Sequence, residues 1–214
     1  MYIPHFNTMD PADVHAFVTA TASAEVVTVG RDGTPLATLL PILWSQDGGT
    51  VIAHMARANQ HWREIEPNSP CLAIVAGPQA YISPSWYPAK AEHGRVVPTW
   101  NYSAVHLIGT ITVHDDPDWV RRAVTELTER HEQHRETPWE VTDAPEKYVA
   151  GQLKSIVGLE LTVVRVDAKA KLSQNRSEAD QDGVIDGLRS GGSSGETQIA
   201  GAMERHASRG TTNR

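Results

Sequence analysis

AYISPSWYPAKAEHGRVVPTWNYSAVHLIGTITVH, residues 80–114, decides how the rest of the chain is read. Two of the six Trp and three of the five Tyr fall inside it, so rings are concentrated where the chain also turns. Pro84, Pro88 and Pro98 exclude a continuous helix, and each biases its predecessor (Ser83, Tyr87, Val97) toward extended backbone. The stretch therefore reads as two strands joined by a basic loop. From Thr99 onward the β-branched and aromatic residues Trp100, Tyr102, Val105, Ile108, Ile111 and Val113 predict a long strand, with Gly109 as a bulge or a point of close approach. Flat rings beside Ser83, Ser85, Asn101 and His106 suit a pocket for a flat ligand. The same rings equally suit an ordinary sheet core with satisfied polar tips.

Upstream, Asp10 as N-cap, Pro11 at the first helical position and Asp13 in the first turn predict a helix with Val14, Phe17 and Val18 on one face. Residues 24–30 and 36–44 read as a hairpin closed by Arg31-Asp32-Gly33-Thr34. A second turn, Gln46-Asp47-Gly48-Gly49, leads to a strand over 50–55, giving an antiparallel meander. Asn59 is placed to cap a short helix through Glu66 that Pro67 and Pro70 stop. A helix start beside Arg57 offers amides, a dipole and a guanidinium to an anion. Residues 71–76 form a short apolar strand before the central stretch.

Downstream, a helix is predicted over 118–136 with Val120, Ala123, Val124 and Leu127 on its apolar face. Its His131 and His134 lie three apart, but neither the His-Glu-x-x-His pattern nor a nearby cysteine accompanies them, so the reading is a solvated helix end and no metal site. A less regular helix over 146–156, interrupted by Gly151, precedes a strand over 159–168. The run Lys169-Ala170-Lys171-Leu172-Ser173-Gln174-Asn175-Arg176 then leaves the strand. Ser177 with Asp180 three residues on resembles a capping box for a helix over 178–188.

The 214 residues suit one domain, placed at 1–189, followed by a tail over 190–214 whose small, polar composition predicts disorder over most of its length, with a short helix left open around 199–206. No apolar run approaches membrane-spanning length and the start lacks a signal-peptide pattern, which predicts a cytoplasmic protein without membrane contact. Cys71 is the sole cysteine, excluding an internal disulfide, and its apolar neighbours predict a buried core residue. A net charge of −7 argues against the basic footprint of a nucleic-acid binder.

Four phrases in order, MYIPHF, ARANQHW, YISPSWY with VPTWNYSAVH, and KLSQNRS with GVIDGL, resemble the PaiB-type FMN-binding negative transcriptional regulators over residues 1–189. The resemblance implies an α+β fold, an antiparallel split β-barrel with flanking helices, working as a homodimer with FMN at or near the subunit interface. It implies that Arg57, Asn59 and His61 hold the flavin phosphate, and that Ser83, Trp86, Trp100, Asn101 and Tyr102 line the isoalloxazine and ribityl chain. Lys171, Gln174, Asn175 and Arg176 then close the site, so the three groups are expected to meet on one phosphorylated cofactor. It also implies DNA binding, although no helix-turn-helix, zinc finger or basic stripe is legible. Two other functions stay open on this fold: a flavin-dependent oxidoreductase, with His106 or Tyr102 as proton donor, and a haem-binding barrel. The segment TASAEVVTVG is more Ala-rich than the family's first strand, and no catalytic residue is assigned.

Overall fold

In chain order the strands are β1 (Ser23–Val29), β2 (Pro35–Pro41), β3 (Leu43–Trp44), β4 (Thr50–Ala56), β5 (Ser69–Ile82), β6 (Thr99–His114) and β7 (Ile156–Lys171). The helices are α1 (Pro11–Thr21), α2 (Ala89–His93), α3 (Pro117–Glu132), α4 (Glu146–Leu153), α5 (Glu178–Gly191) and α6 (Ser194–Thr212). This computed structural model describes the backbone of residues 1–212 and the side chains of residues 1–208. The strands form one open sheet in the order β2-β1-β5-β6-β7-β4-β3. The chain divides into two compact units, a larger one of residues 11–75 and 105–167, and a smaller one of residues 1–10, 76–104 and 168 onward.

The larger unit begins with the predicted meander. Gly33, at φ +84°, supplies the left-handed turn residue that closes β1 onto β2, and Asp32 Oδ1 accepts from the Thr34 amide at 2.8 Å. The register pairs Val26 with Thr38 and Ala24 with Leu40, so alternate β1 residues point inward. β4 pairs antiparallel with β7, setting Ala53 opposite Leu159. Gly109 marks a close approach: a β-carbon there would lie 1.8 Å from the Thr162 carbonyl oxygen. Asp116 caps α3 by accepting from the Trp119 amide at 2.9 Å, with Pro117 at the first turn. The Trp119 ring stacks on His114 at 4.1 Å between centroids, and Gly158 leaves room for it.

The smaller unit has its own core, in which Ile82, Leu172, Val184 and Leu188 meet Ile199 and Met203. Gly192, at φ +73°, ends α5 and turns the chain into α6. Where disorder was expected over most of the tail, α6 is a helix that extends beyond the short one left open at 199–206, burying Ile199 and Ala200 completely and leaving Met203 2% exposed. The apolar residues of α6 are few, but they recur at helical spacing and find a partner in α5. That burial offsets the ordering entropy that composition alone would leave uncompensated. Residues 213–214, part of the same expectation, lie outside the described residues.

Two smaller differences bear on the site. The basic loop between the central strands contains a short helix, α2, ended by Gly94 at φ +67°. The helix expected after Asn59 is a 3-10 turn, Gln60–Glu64.

Candidate functional site

The twelve residues singled out from the sequence divide between the units: Arg57, Asn59 and His61 lie in the larger, the other nine in the smaller.

In the larger unit each of the three is held by protein groups. The Arg57 guanidinium grips both carboxylate oxygens of Asp115, at 3.0 Å from Nη1 to Oδ2 and through Nη2 to Oδ1. It also donates to the carbonyls of Lys154 at 2.8 Å and Ile156 at 3.2 Å. The Arg57 hydrogen bond to its carboxylate holds Asp115 below its ordinary pKa range. Asn59 Oδ1 accepts from the His61 amide at 3.0 Å and Asn59 Nδ2 donates to Thr38 Oγ1 at 3.3 Å. The His61 ring bridges the hydroxyls of Thr28 and Thr38, both at 2.8 Å. Where an anion was expected at a helix start, the turn is too short to sum a dipole, Asn59 fills an end amide, and Arg57 has a carboxylate. A hollow of ≈ 470 Å³ beside this pair is lined by Val120, Leu153 and Ile156 together with Arg57, Arg121 and Lys154. Arg57 and Arg121 are matched in it, by Asp115 and by Glu146.

In the smaller unit the alternation of β6 sorts the candidates. Asn101 is fully buried, its amide donating to Ser173 Oγ at 3.0 Å and to Met203 Sδ at 3.6 Å. It ties β6 to the turn after β7 and to α6, on the opposite side of the strand from the Trp100 and Tyr102 rings. Trp86 is a packing residue as well: a β-carbon on Gly187 would lie 2.3 Å from its ring, and one on Gly183 would lie 2.1 Å from its carbonyl oxygen. Ser83 caps the 3-10 turn Pro84–Trp86 by accepting from the Ser85 amide. Gln174 closes the turn after β7, accepting from the Leu172 amide at 2.7 Å and donating to the Ala170 carbonyl at 2.5 Å. Asn175 is exposed.

The residues left facing outward are Trp100, Tyr102, Lys171 and Arg176. Trp100 is 45% exposed, with its indole N–H donating to Gln79 Oε1 at 3.0 Å and its ring edge-on to Tyr81 at 6.4 Å. Trp100 and Tyr102 line a hollow of ≈ 260 Å³ with Ala76, Gly77, Gln79 and Ser103. Lys171 Nζ donates to the Trp100 carbonyl at 2.8 Å and to Thr99 Oγ1. Burial first, then the neighbouring charges of Lys169 and Arg176, hold the Lys171 ammonium below its ordinary pKa. Lys169, absent from the sequence-based set, lies 5.3 Å from the Tyr102 ring centroid and donates to the Tyr2 carbonyl at 3.2 Å. Its place two residues before Lys171 on β7, on the same strand face, was the signal that identifies it. Arg176 lies 4.6 Å over the ring of Tyr87.

Rings and cations without acidic partners suit a flat ligand that carries negative charge. FMN is such a molecule, and the donor set of this unit fits it. Among the described residues no group of three or more His, Cys, Asp or Glu is arranged to hold a metal ion.

Residues 1–165 match the sequence family described as "Putative FMN-binding domain". The chain is 35% identical over 207 residues to "Protease synthase and sporulation protein PAI 2" of Bacillus subtilis, covering 95% of this chain and 97% of that one. It is 34% identical over 172 residues to an uncharacterized protein of Aspergillus fumigatus, covering 65% of this chain and 66% of the fungal protein. Among solved structures, a conserved hypothetical protein of Mycobacterium tuberculosis matches with TM-score 0.59 at 13% identity, covering 83% of this chain and 95% of that one. An FAD and heme binding protein of Mycobacterium smegmatis matches with TM-score 0.58 at 17% identity, covering 78% of this chain and 74% of that one. At those identities the likeness speaks for the fold, which is the expected antiparallel split barrel with flanking helices.

Proposed function

The chain belongs to the PaiB-type family of FMN-binding proteins, and on that premise we propose that it acts as a homodimeric regulator whose responsive element is its bound flavin. FMN is the cofactor. The observation that carries the regulatory reading is the end-to-end alignment, 95% of one chain against 97% of the other, with a protein named for protease synthesis and sporulation.

Trp100 and Tyr102 offer the flavin ring flat faces, while Lys171 and Arg176 supply positive charge. When bound, the flavin supplies electron-transfer chemistry, and this chain's residues bind and orient it. Regulation on this reading is indirect. A net charge of −7 opposes a grip on a phosphate backbone, and the first turn of α5 is itself acidic, with Glu178 and Asp180. Among the described residues no helix is long and apolar enough to cross a membrane.

The test combines light scattering with transcript profiling. The proposal expects a dimer carrying FMN, and a set of transcripts that changes on gene deletion and is restored by the wild-type chain but not by a variant unable to bind flavin. Restoration by the flavin-free variant would remove the flavin from regulation. Bleaching of the bound flavin by a reduced nicotinamide under anaerobic conditions, with no transcript change on deletion, would assign an oxidoreductase instead.

A further inference from the structure

Three cations of the smaller unit, Lys169, Lys171 and Arg176, meet no carboxylate in an ion pair among the described residues. Lys169 is 9% exposed, and its ammonium meets a carbonyl and a ring face. Lys171 meets a hydroxyl and a carbonyl. Arg176 lies over Tyr87, whose own hydroxyl is buried near Ser173 and Arg176 without completing a hydrogen bond. None of the three cations forms an ion pair among the described residues, whereas Arg57, Arg121 and Arg189 each have a carboxylate. Like charges brought together and partly stripped of water raise the free energy of the fold, and an anion arriving among them relieves it. Lys169 and Lys171 adjoin residues of the aromatic hollow, through the Tyr102 ring and the Trp100 carbonyl, and the charge of Arg176 acts on Lys171.

We propose that Lys169, Lys171 and Arg176 form a binding site for a phosphate monoester dianion. Two sources share that chemistry, the phosphate of FMN itself and a separate phosphorylated small molecule bound beside the flavin. The first source rests on the flavin reading given above and moves the phosphate away from Arg57; the second stands apart from it. Ammonium and guanidinium groups satisfy a dianion through charge-assisted hydrogen bonds, and the neighbouring rings cover the organic part.

The experiment titrates FMN and riboflavin into the flavin-free wild-type chain, Lys171→Gln and Arg176→Gln by calorimetry, then titrates inorganic phosphate into each chain before and after flavin loading. Two variants are used so that a folding failure in one, checked by circular dichroism, leaves the other. If FMN fills the site, affinity for FMN falls roughly 10- to 100-fold in the variants while riboflavin is unaffected. If a separate ligand fills it, both flavins bind the variants normally, and phosphate binds the FMN-loaded wild type but not the loaded variants. Unchanged FMN affinity together with no phosphate binding to any chain overturns the proposal and leaves the flavin reading standing. Phosphate binding that the variants lose, in a wild-type chain that takes up no FMN, supports the site and overturns the flavin reading.

Discussion

His61 sits between two threonine hydroxyls, with each ring nitrogen 2.8 Å from an oxygen. A neutral imidazole has one donor and one acceptor, and hydroxyls match either role, so the ring is satisfied without a charge. Burial holds the pKa of His61, and that of His54, below the ordinary value of 6.5. Below that value the unfolded chain takes up protons that the folded chain refuses, so stability is full above pH 6.5 and is lost as pH falls toward the depressed folded values. Thermal melts across mildly acidic pH are expected to show the midpoint dropping on acidification, before carboxylates titrate. A midpoint that rises instead contradicts the burial argument. Arg57→Ala removes the grip on Asp115 and two carbonyls, so it is expected to lower the melting temperature while leaving the ratio of FMN to riboflavin affinity as in the wild type. A selective loss of FMN would return the phosphate to Arg57. Cys71, 4% exposed, has its thiol pushed up to about 12 by burial. The native protein should therefore resist a thiol reagent that labels it fully after denaturation.

At the scale of elements, α5 and α6 carry the clearest energetic expectations. Ile199→Ala leaves a cavity in the core of the smaller unit and is expected to cost about 2–5 kcal/mol in chemical denaturation. A cost near zero would mean that α6 does not dock. The notch formed by Gly183 and Gly187 is visible only once Trp86 is seen against it, because a glycine pair in a helix otherwise reads as a weak helix. The hairpin of β1 and β2, the Asn59 and Ser177 caps and the start of α3 were all legible, since each rests on interactions within a few residues. What escaped depends on distant partners. α6 looks disordered until α5 covers Ile199 and Met203, and Arg57 looks free until Asp115, 58 residues away, reaches it. Part of the site was legible and misassembled. Strand alternation puts Trp100 and Tyr102 on one face of β6 and Asn101 on the other, so period two alone separates the outward rings from the buried amide.

For the whole molecule, the family supplies a flavin, and the charge argues against direct contact with DNA. The chain has net charge −7, so retention of DNA in a mobility-shift assay should be absent at moderate salt for any sequence. Sequence-specific shifts that persist in salt would assign the chain a direct contact with DNA. The claim that FMN lies against the outward rings of β6 is tested by fluorescence titration of FMN into wild type and Trp100→Ala. The wild-type chain should quench flavin fluorescence at one flavin per chain. Trp100→Ala should weaken FMN and riboflavin alike by roughly 5- to 50-fold, through lost stacking and lost apolar contact. Equal affinity in the two proteins, or no flavin uptake by the wild type, would contradict the claim.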